Sequence, residues 1–260
     1  MSILDKVMTL RPAAPRITIY GKPGIGKSTF AAQFPEPLFL LTEDPRLDGI
    51  KAVPTTKSFL EFWENLKELL ALEDFPYKTI VIDSVSKLDA QITKHIIDEE
   101  GGSKNKVTTL GAACGGYGKG YERAQSIHRA VKAQLDKFVE RGIAVVFIAH
   151  LAITKYKAPD SDDYDIYSII MNHDKSREVY IDDVDAVLFG RLQSFTDTLD
   201  SGKNIVKSTE QRILVASVND VNVAKNRFSM PSQIPMEFEE LKKYIPFYNQ
   251  EQLEPLTAGF

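Results

Sequence analysis

The stretch that decides the fold is Gly21-Lys22-Pro23-Gly24-Ile25-Gly26-Lys27-Ser28-Thr29. It fits the phosphate-binding pattern of a glycine, any four residues and then Gly-Lys-Ser. Residues 16–20 before it have the composition of a buried strand, and residues 27–34 after it have the spacing of a helix. A strand, a glycine-rich loop and a helix in this order predict a site for the phosphates of a nucleoside triphosphate.

The residue types in this loop suggest separate roles. Its glycines permit a tight turn whose backbone N–H groups point inward, where the helix dipole favours an anion. Lys27 would reach the β- and γ-phosphates, and Ser28 would place its hydroxyl on Mg²⁺. The alternative is a glycine-rich turn that binds nothing. The predicted nucleotide-binding residues are Gly21, Pro23, Gly24, Ile25, Gly26, Lys27, Ser28 and Thr29.

Composition narrows the class of protein. The chain has 260 residues, 43% hydrophobic and 26% charged, which is ordinary for one globular domain. A net charge of −4 argues against a broadly basic surface, so any contact with nucleic acid must come from local loops. The single cysteine, Cys114, excludes an internal disulfide framework and fits a reducing cytoplasm. No segment approaches the roughly 18 apolar residues of a membrane span, and residues 1–14 lack a signal-peptide core, so we expect a cytoplasmic protein.

Two apolar runs, residues 38–42 and 79–83, predict buried strands that end in acids. Ligands of open α/β sheets bind at the carboxyl ends of the strands, so these acids are expected beside the phosphates. Asp83 is predicted to hold Mg²⁺ together with Ser28. Many ATPases place a glutamate directly after this acid, but here the position is Ser84. Glu43, at the end of the first run, is therefore the predicted catalytic base, with a solvated strand end as the alternative.

The remaining periodicity completes an α/β fold with a mainly parallel twisted sheet, flanking helices and antiparallel strands added towards the C-terminus. Residues 143–149 form the most apolar strand and end in His150, which could sense the γ-phosphate; a capped strand end is the alternative. The spacing of apolar residues also predicts helices at residues 58–72, 85–98 and 121–141 and strands at residues 186–190 and 212–216.

Residues 101–121 are predicted to form a long, glycine-rich loop. A basic, tyrosine-bearing loop can follow a phosphate backbone and stack on bases, and a plain flexible loop is the alternative. The predicted DNA-binding residues are Lys104, Lys106, Tyr117, Lys119 and Tyr121. Residues 154–176 are predicted to be a second irregular segment, placed after His150 where it could respond to nucleotide state.

Lys225 and Arg227 form a pair of cations one residue apart near the end of the chain. On an extended backbone they point the same way and could reach phosphates in this subunit or in a neighbouring one. A solvated surface pair is the alternative.

Taken together, these motifs resemble the core of RecA-type P-loop ATPases. Residues 21–29 look like its Walker A motif, residues 40–43 match the strand that ends in its catalytic glutamate, and residues 81–84 are similar to its Walker B motif. His150 departs from the family, which usually has glutamine there. Lys225-Asn226-Arg227-Phe228 resembles the Lys-Asn-Arg-Phe-Gly motif of RadA and the finger of DnaB-like helicases, with Ser229 in place of the glycine.

The resemblance spans roughly residues 16–238 and is greatest to the minimal RecA-core proteins of bacteriophages, the Sak-four group of single-strand annealing proteins. Gly-Tyr-Gly-Lys-Gly-Tyr at residues 116–121 contributes to it. It implies ATP and Mg²⁺ as cofactors, single-stranded DNA as partner, and annealing or strand exchange in phage recombination. It also implies a homo-oligomeric ring or filament with active sites between subunits, a single-stranded-DNA-binding protein as a further partner, and no membrane.

The expected organisation is an N-terminal extension at residues 1–15, a RecA-like core at 16–248 and a C-terminal tail at 249–260. Two other functions stay open at this point. One is a helicase motor of the DnaB or RadA type, which the cation pair fits equally well. The other is a small-molecule kinase, for which the sequence lacks an arginine-rich lid.

Overall fold

The computed structural model describes residues 12–45, 47–100, 107–157, 162–198, 204–217, 219 and 221–252. The strands of this part of the chain are β1 (Arg16–Gly21), β2 (Pro37–Leu41), β3 (Ala52–Val53), β4 (Thr79–Asp83), β5 (Ala144–Tyr156), β6 (Tyr164–Ile169), β7 (Ala186–Thr198), β8 (Asn204–Val215), β9 (Lys225–Asn226) and β10 (Gln233–Pro235). Its α-helices are α1 (Lys27–Ala31), α2 (Phe59–Ala71), α3 (Val85–Glu99), α4 (Lys119–Glu140), α5 (Asp174–Glu178) and α6 (Phe238–Lys242), and 3-10 helices lie at Leu110–Gly115 and Pro246–Gln252.

The strands join in the order β10-β8-β7-β1-β5-β4-β2-β3, with β6 beside β5 and β9 beside β7. Neighbouring strands from β7 to β3 run parallel, whereas β6, β8, β9 and β10 pair antiparallel. This confirms the predicted fold class: a mainly parallel α/β sheet with antiparallel strands added towards the C-terminus. The strand that carries the phosphate loop, β1, lies in the middle of the sheet.

The sheet is buried on both faces, which explains why its strands are continuous apolar runs. In β5, Val145 and Phe147 belong to one apolar cluster, which also contains buried residues of α2, α3 and α4. The alternate residues Val146 and Ile148 belong to a second cluster with residues of α1 and α6. Burial on both faces makes the sheet a rigid support for side chains at its carboxyl edge.

The predicted long loop at residues 101–121 is wrong at its C-terminal end. The 3-10 helix Leu110–Gly115 occupies part of it, and α4 begins at Lys119, so that Lys119 and Tyr121 lie on a helix. A Cβ on Gly120 would come within 2.0 Å of the carbonyl oxygen of Leu110, so this glycine serves close packing and not flexibility. Lys104 and Lys106 lie outside the described residues.

The predicted irregular segment at residues 154–176 is also wrong in the part that the structure describes; residues 158–161 of it lie outside the described residues. Strand β5 continues to Tyr156 and pairs antiparallel with β6, in a register that runs from Leu151↔Ile169 to Tyr156↔Tyr164, and α5 follows. The mixture of lysines and aspartates gave no strand pattern. The two strands are stable because they pair with each other, and their local composition contributes little. The hairpin therefore extends directly from the strand that carries His150.

No helix in the described ranges is long and apolar enough to cross a membrane.

Two glycines that face each other across β1 and β7 allow a test of the close packing beneath the phosphate loop. Gly21 pairs with Gly190, and a Cβ on Gly21 would lie 2.3 Å from the carbonyl oxygen of Gly190. The nearest atom to a Cβ on Gly190 would be at an ordinary 3.5 Å. We expect Gly21→Ala to lower the free energy of unfolding by about 1–3 kcal/mol through overpacking, and Gly190→Ala to lower it by much less. Denaturant unfolding measures both, and equal losses would contradict the steric explanation.

Candidate active site

The phosphate loop joins β1 to α1 and is shaped by two glycines with positive φ. Gly24 has φ +79° and Gly26 has φ +98°, a region that L side chains rarely adopt. Gly26 immediately precedes Lys27, the first residue of α1. The Lys27 ammonium donates hydrogen bonds to the carbonyl oxygens of Gly21 at 3.0 Å and Lys22 at 3.3 Å. The lysine is thus held over the loop, in a position to contact phosphates.

Lys27 lies in a partly buried environment with two carboxylates. Burial lowers the pKa of Lys27, while the nearby charges of Asp83 and Glu43 act in the opposite direction. An anionic ligand would favour the charged ammonium in the same way as these carboxylates. The electrostatics therefore suit a lysine that pairs with phosphate.

Ser28 and Asp83 come together at the base of the loop. The Ser28 hydroxyl donates to Oδ2 of Asp83 at 2.6 Å, although the two residues are 55 positions apart in the chain. Burial raises the pKa of Asp83, and the hydrogen bond from Ser28 opposes this rise. A hydroxyl and a single carboxylate are oxygen ligands that suit Mg²⁺, which usually takes its remaining ligands from water and substrate phosphates. The pair predicted for Mg²⁺ therefore fits that ion.

Glu43 is the centre of a second polar cluster, with Ser84 and His150. Its Oε1 accepts a hydrogen bond from the Ser84 hydroxyl at 2.7 Å and lies 2.7 Å from Nε2 of His150. Burial alone would raise the pKa of Glu43, but the hydrogen bonds from His150 and Ser84 outweigh it, so the pKa lies below its ordinary value. Glu43 is therefore ionised at neutral pH, as a general base must be.

Strand order explains why these residues meet. Strand β5 lies between β1 and β4, and β4 lies between β5 and β2, with Gly21 opposite His150 and Leu41 opposite Asp83. The carboxyl ends of four parallel strands consequently face one cavity of about 650 Å³. Its wall combines the loop with polar residues at the carboxyl edge of the parallel strands: Gly24, Gly26, Lys27, Ser28, Thr29, Glu43, Asp44, Asp83 and His150.

Lys225 and Arg227 do not reach this cavity. Strand β9 pairs with the start of β7, with Lys225 opposite Val187, which is the amino end of the parallel strands. The Lys225 ammonium donates to the carbonyl oxygen of Asp182, and Nη1 of Arg227 lies 3.3 Å from Oδ1 of Asp185. The Arg227 side chain is 61% exposed. The two cations are therefore presented on the surface, away from the phosphate loop of their own chain.

The candidate DNA-binding residues that the structure describes differ in their surroundings. Tyr117 is fully exposed and has a φ of +53°, and its two neighbours, Gly116 at +81° and Gly118 at +82°, also have positive φ. The ring of Tyr121 instead stacks on His173 with centroids 4.6 Å apart. Tyr117 is the aromatic ring of this segment that is free to contact a ligand.

Arg212, close to the C-terminal end of β8, is a site residue that the sequence prediction missed. It lines the same cavity as Lys27 and Asp83, 185 and 129 positions along the chain from them. No local motif marks it, because an exposed arginine next to a buried run also fits an ordinary strand end.

This sheet with a phosphate loop, a hydroxyl–carboxylate pair and an ionised glutamate at its carboxyl edge defines a P-loop ATPase. A family model described as an AAA domain, AAA_24, matches residues 13–228, so the chain belongs to that family. Among solved structures, the chain is similar to the flagellar accessory protein FlaH from Methanocaldococcus jannaschii, at 13% identity over 78% of this chain and 85% of that one. The TM-score of this likeness is 0.35. The comparison with curated proteins gave no match. P-loop ATPases generally use ATP and Mg²⁺.

Proposed function

We propose that this protein is a homo-oligomeric, single-stranded-DNA-dependent ATPase that promotes annealing or strand exchange in phage-type recombination. The catalytic half of the proposal is supported by the cluster of Lys27, Ser28, Glu43 and Asp83 around one cavity. The DNA half is carried by Tyr117, a fully exposed ring on a strained glycine turn.

ATP hydrolysis follows from the roles that these side chains can fill. Loop N–H groups and Lys27 bind the phosphates, and Ser28 and Asp83 would hold Mg²⁺, which neutralises phosphate charge when bound. The Glu43 carboxylate accepts a proton from a water molecule while the oxygen of that water bonds to the γ-phosphorus. The bond from the γ-phosphorus to the bridging oxygen breaks, and ADP and inorganic phosphate are released. His150 and Ser84 orient the carboxylate through their hydrogen bonds.

The support for a single strand comes from the chemistry of the turn before α4. Exposed aromatic rings stack on bases with little regard to sequence, because every base has a π-face. A positive φ at a non-glycine residue is costly, so the surrounding turn must hold Tyr117 in place. Lys119 follows two residues later, at the start of α4, and supplies a positive charge for a phosphate.

A replicative helicase motor is a second candidate, favoured by the exposed position of Lys225 and Arg227. Two cations that lie away from the phosphate loop of their own chain are suited to act on the nucleotide of a neighbouring subunit. Helicase rings and recombination filaments both have active sites of this kind. Unwinding of a forked duplex on ATP addition would favour the helicase.

ATP turnover with and without single-stranded DNA tests the proposed function. We expect the strand to increase turnover, and Tyr117→Ala to weaken strand binding about 5-fold or more, since base stacking contributes roughly 1–3 kcal/mol. Leu60→Ala is a suitable control because Leu60 is an exposed apolar residue on α2. Fluorescence anisotropy of a labelled oligonucleotide measures the binding.

Turnover that is the same with and without the strand would overturn the proposed DNA dependence. Stimulation that persists with equal strand affinity in Tyr117→Ala would keep the function but move the DNA site elsewhere.

A further inference from the structure

Arg212 is anchored in the sheet on both sides. It lies opposite Leu192 in the antiparallel pairing of β7 with β8, and its carbonyl oxygen accepts a hydrogen bond from the Met236 N–H at 3.0 Å. Its backbone is therefore fixed by the fold, and only its side-chain torsion angles can vary.

That side chain lies against the phosphate loop. Nη1 of Arg212 is 2.8 Å from the point that a Cβ on Gly26 would occupy, and its Cζ is 3.5 Å from the same point. A side chain at position 26 would adopt a strained φ and would require the flexible Arg212 side chain to move. The guanidinium of an arginine from β8 therefore lies beside the residue that precedes Lys27.

The Arg212 guanidinium makes no hydrogen bond or ion pair with any residue that the structure describes. By contrast, Arg16 lies 2.5 Å from Asp136 and Arg177 lies 2.8 Å from Asp174. A cation without a partner among the described residues, beside a loop whose N–H groups also attract anions, favours an anionic ligand at this place. A phosphate meets that requirement.

Arg212 also separates two cavities. On one side lies the cavity of Lys27, Glu43 and Asp83, and on the other lies a cavity of about 780 Å³ lined by Arg191, Phe189 and Glu210 among others. Arg191 faces only the second cavity and hydrogen-bonds to Ser194 at 3.3 Å. The hairpin of β7 and β8 thus supplies one arginine to the phosphate cavity and another to the neighbouring cavity.

We propose that Arg212 binds the phosphates of the nucleotide as a second cation from the same chain, beside Lys27. A guanidinium can form two parallel hydrogen bonds to phosphate oxygens and is more weakly hydrated than an ammonium, so its contact complements that of the lysine. The proposal rests on the assignment of the chain as a P-loop ATPase and is independent of the proposed DNA dependence.

The test measures nucleotide binding without DNA. Labelled ATP is titrated with Mg²⁺ into wild type, Arg212→Ala, Arg212→Lys and the control Arg191→Ala. We expect Arg212→Ala to weaken ATP binding about 10-fold or more, as loss of a hydrogen bond to a charged group does. We expect the lysine variant to recover part of the loss and Arg191→Ala to stay within about threefold of wild type.

Two further readouts separate phosphate binding from a structural role. Competition by inorganic tripolyphosphate should weaken with Arg212→Ala while competition by adenosine stays unchanged, and the salt dependence of ATP binding should become less steep. A folded Arg212→Ala that binds ATP within twofold of wild type would overturn the proposal, as would an equal loss in Arg191→Ala. If Arg212→Ala fails to fold, Arg212→Gln, which keeps length and polarity but not charge, decides between the same outcomes.

If Arg212→Ala weakens ATP binding as expected but single-stranded DNA does not change turnover, the proposed function is overturned and the Arg212 assignment stands. Unchanged ATP binding in Arg212→Ala with normal DNA stimulation would overturn the Arg212 assignment alone.

Discussion

Replacing Glu43 by glutamine is expected to slow ATP hydrolysis by about 10²–10⁴ while ATP remains bound. The amide keeps the length of the side chain and an oxygen that can accept the hydrogen bond from Ser84, found at 2.7 Å. It cannot accept a proton from water at neutral pH, so binding and chemistry should separate. Release of labelled phosphate in a single turnover measures the chemical step, and titration with labelled ATP measures binding.

Asp44→Asn is the matched control, since Asp44 follows Glu43 and lines the same cavity. We expect it to change the rate far less, because Asp44 makes no hydrogen bond to Ser84 or His150 in the part of the chain that the structure describes. A larger loss in Asp44→Asn than in Glu43→Gln would move the base by one residue.

Arg227→Ala is expected to bind ATP but to hydrolyse it about 10³-fold more slowly, as loss of an arginine finger does elsewhere. The reason is its position: Arg227 is exposed at the amino end of the strands and contacts Asp185, whereas the phosphate loop lies at their carboxyl end. We therefore propose that it acts on the nucleotide of a neighbouring subunit. Steady-state turnover at protein concentrations that favour assembly measures the loss.

Mixing two inactive variants makes this prediction sharper. Lys27→Ala lacks the cation that binds the phosphates, and Arg227→Ala lacks the proposed finger. At a mixed interface the intact phosphate loop of one subunit can face the intact Arg227 of the other, so part of the activity should return. Co-assembly without recovery, or full turnover by isolated monomers, would show that Arg227 does not act across an interface.

Local chemistry was predictable from the sequence because it depends on neighbouring residues. The residues from Gly21 to Thr29 have the order that a phosphate loop requires. The apolar run that became β4 ends in Asp83, and Glu43 follows two residues after the end of β2. Continuous apolar runs indicate strands covered on both faces, so the parallel sheet also followed from them. The described strands confirm that part of the prediction.

Packing between separate segments decided the backbone structure where local composition was ambiguous. Glycines at the start of α4 predicted a loop, yet Gly120 lies within the helix, where the chain of Leu110 passes too close for any side chain. The lysines and aspartates of residues 154–176 predicted irregular backbone, yet the described residues up to Tyr156 and from Tyr164 pair as β5 and β6. In both cases a contact between separate segments outweighed the preference of each segment alone.

Only the tertiary structure decided which distant residues meet. The hydrogen bond between Glu43 and Ser84 spans 41 positions, and the contact between Glu43 and His150 spans 107. Arg212 reaches Gly26 because β8 joins the sheet through β7, which is itself next to β1. Periodicity reports which face of a strand is buried but not which strand lies beside it, since strand order follows from the packing of the whole chain.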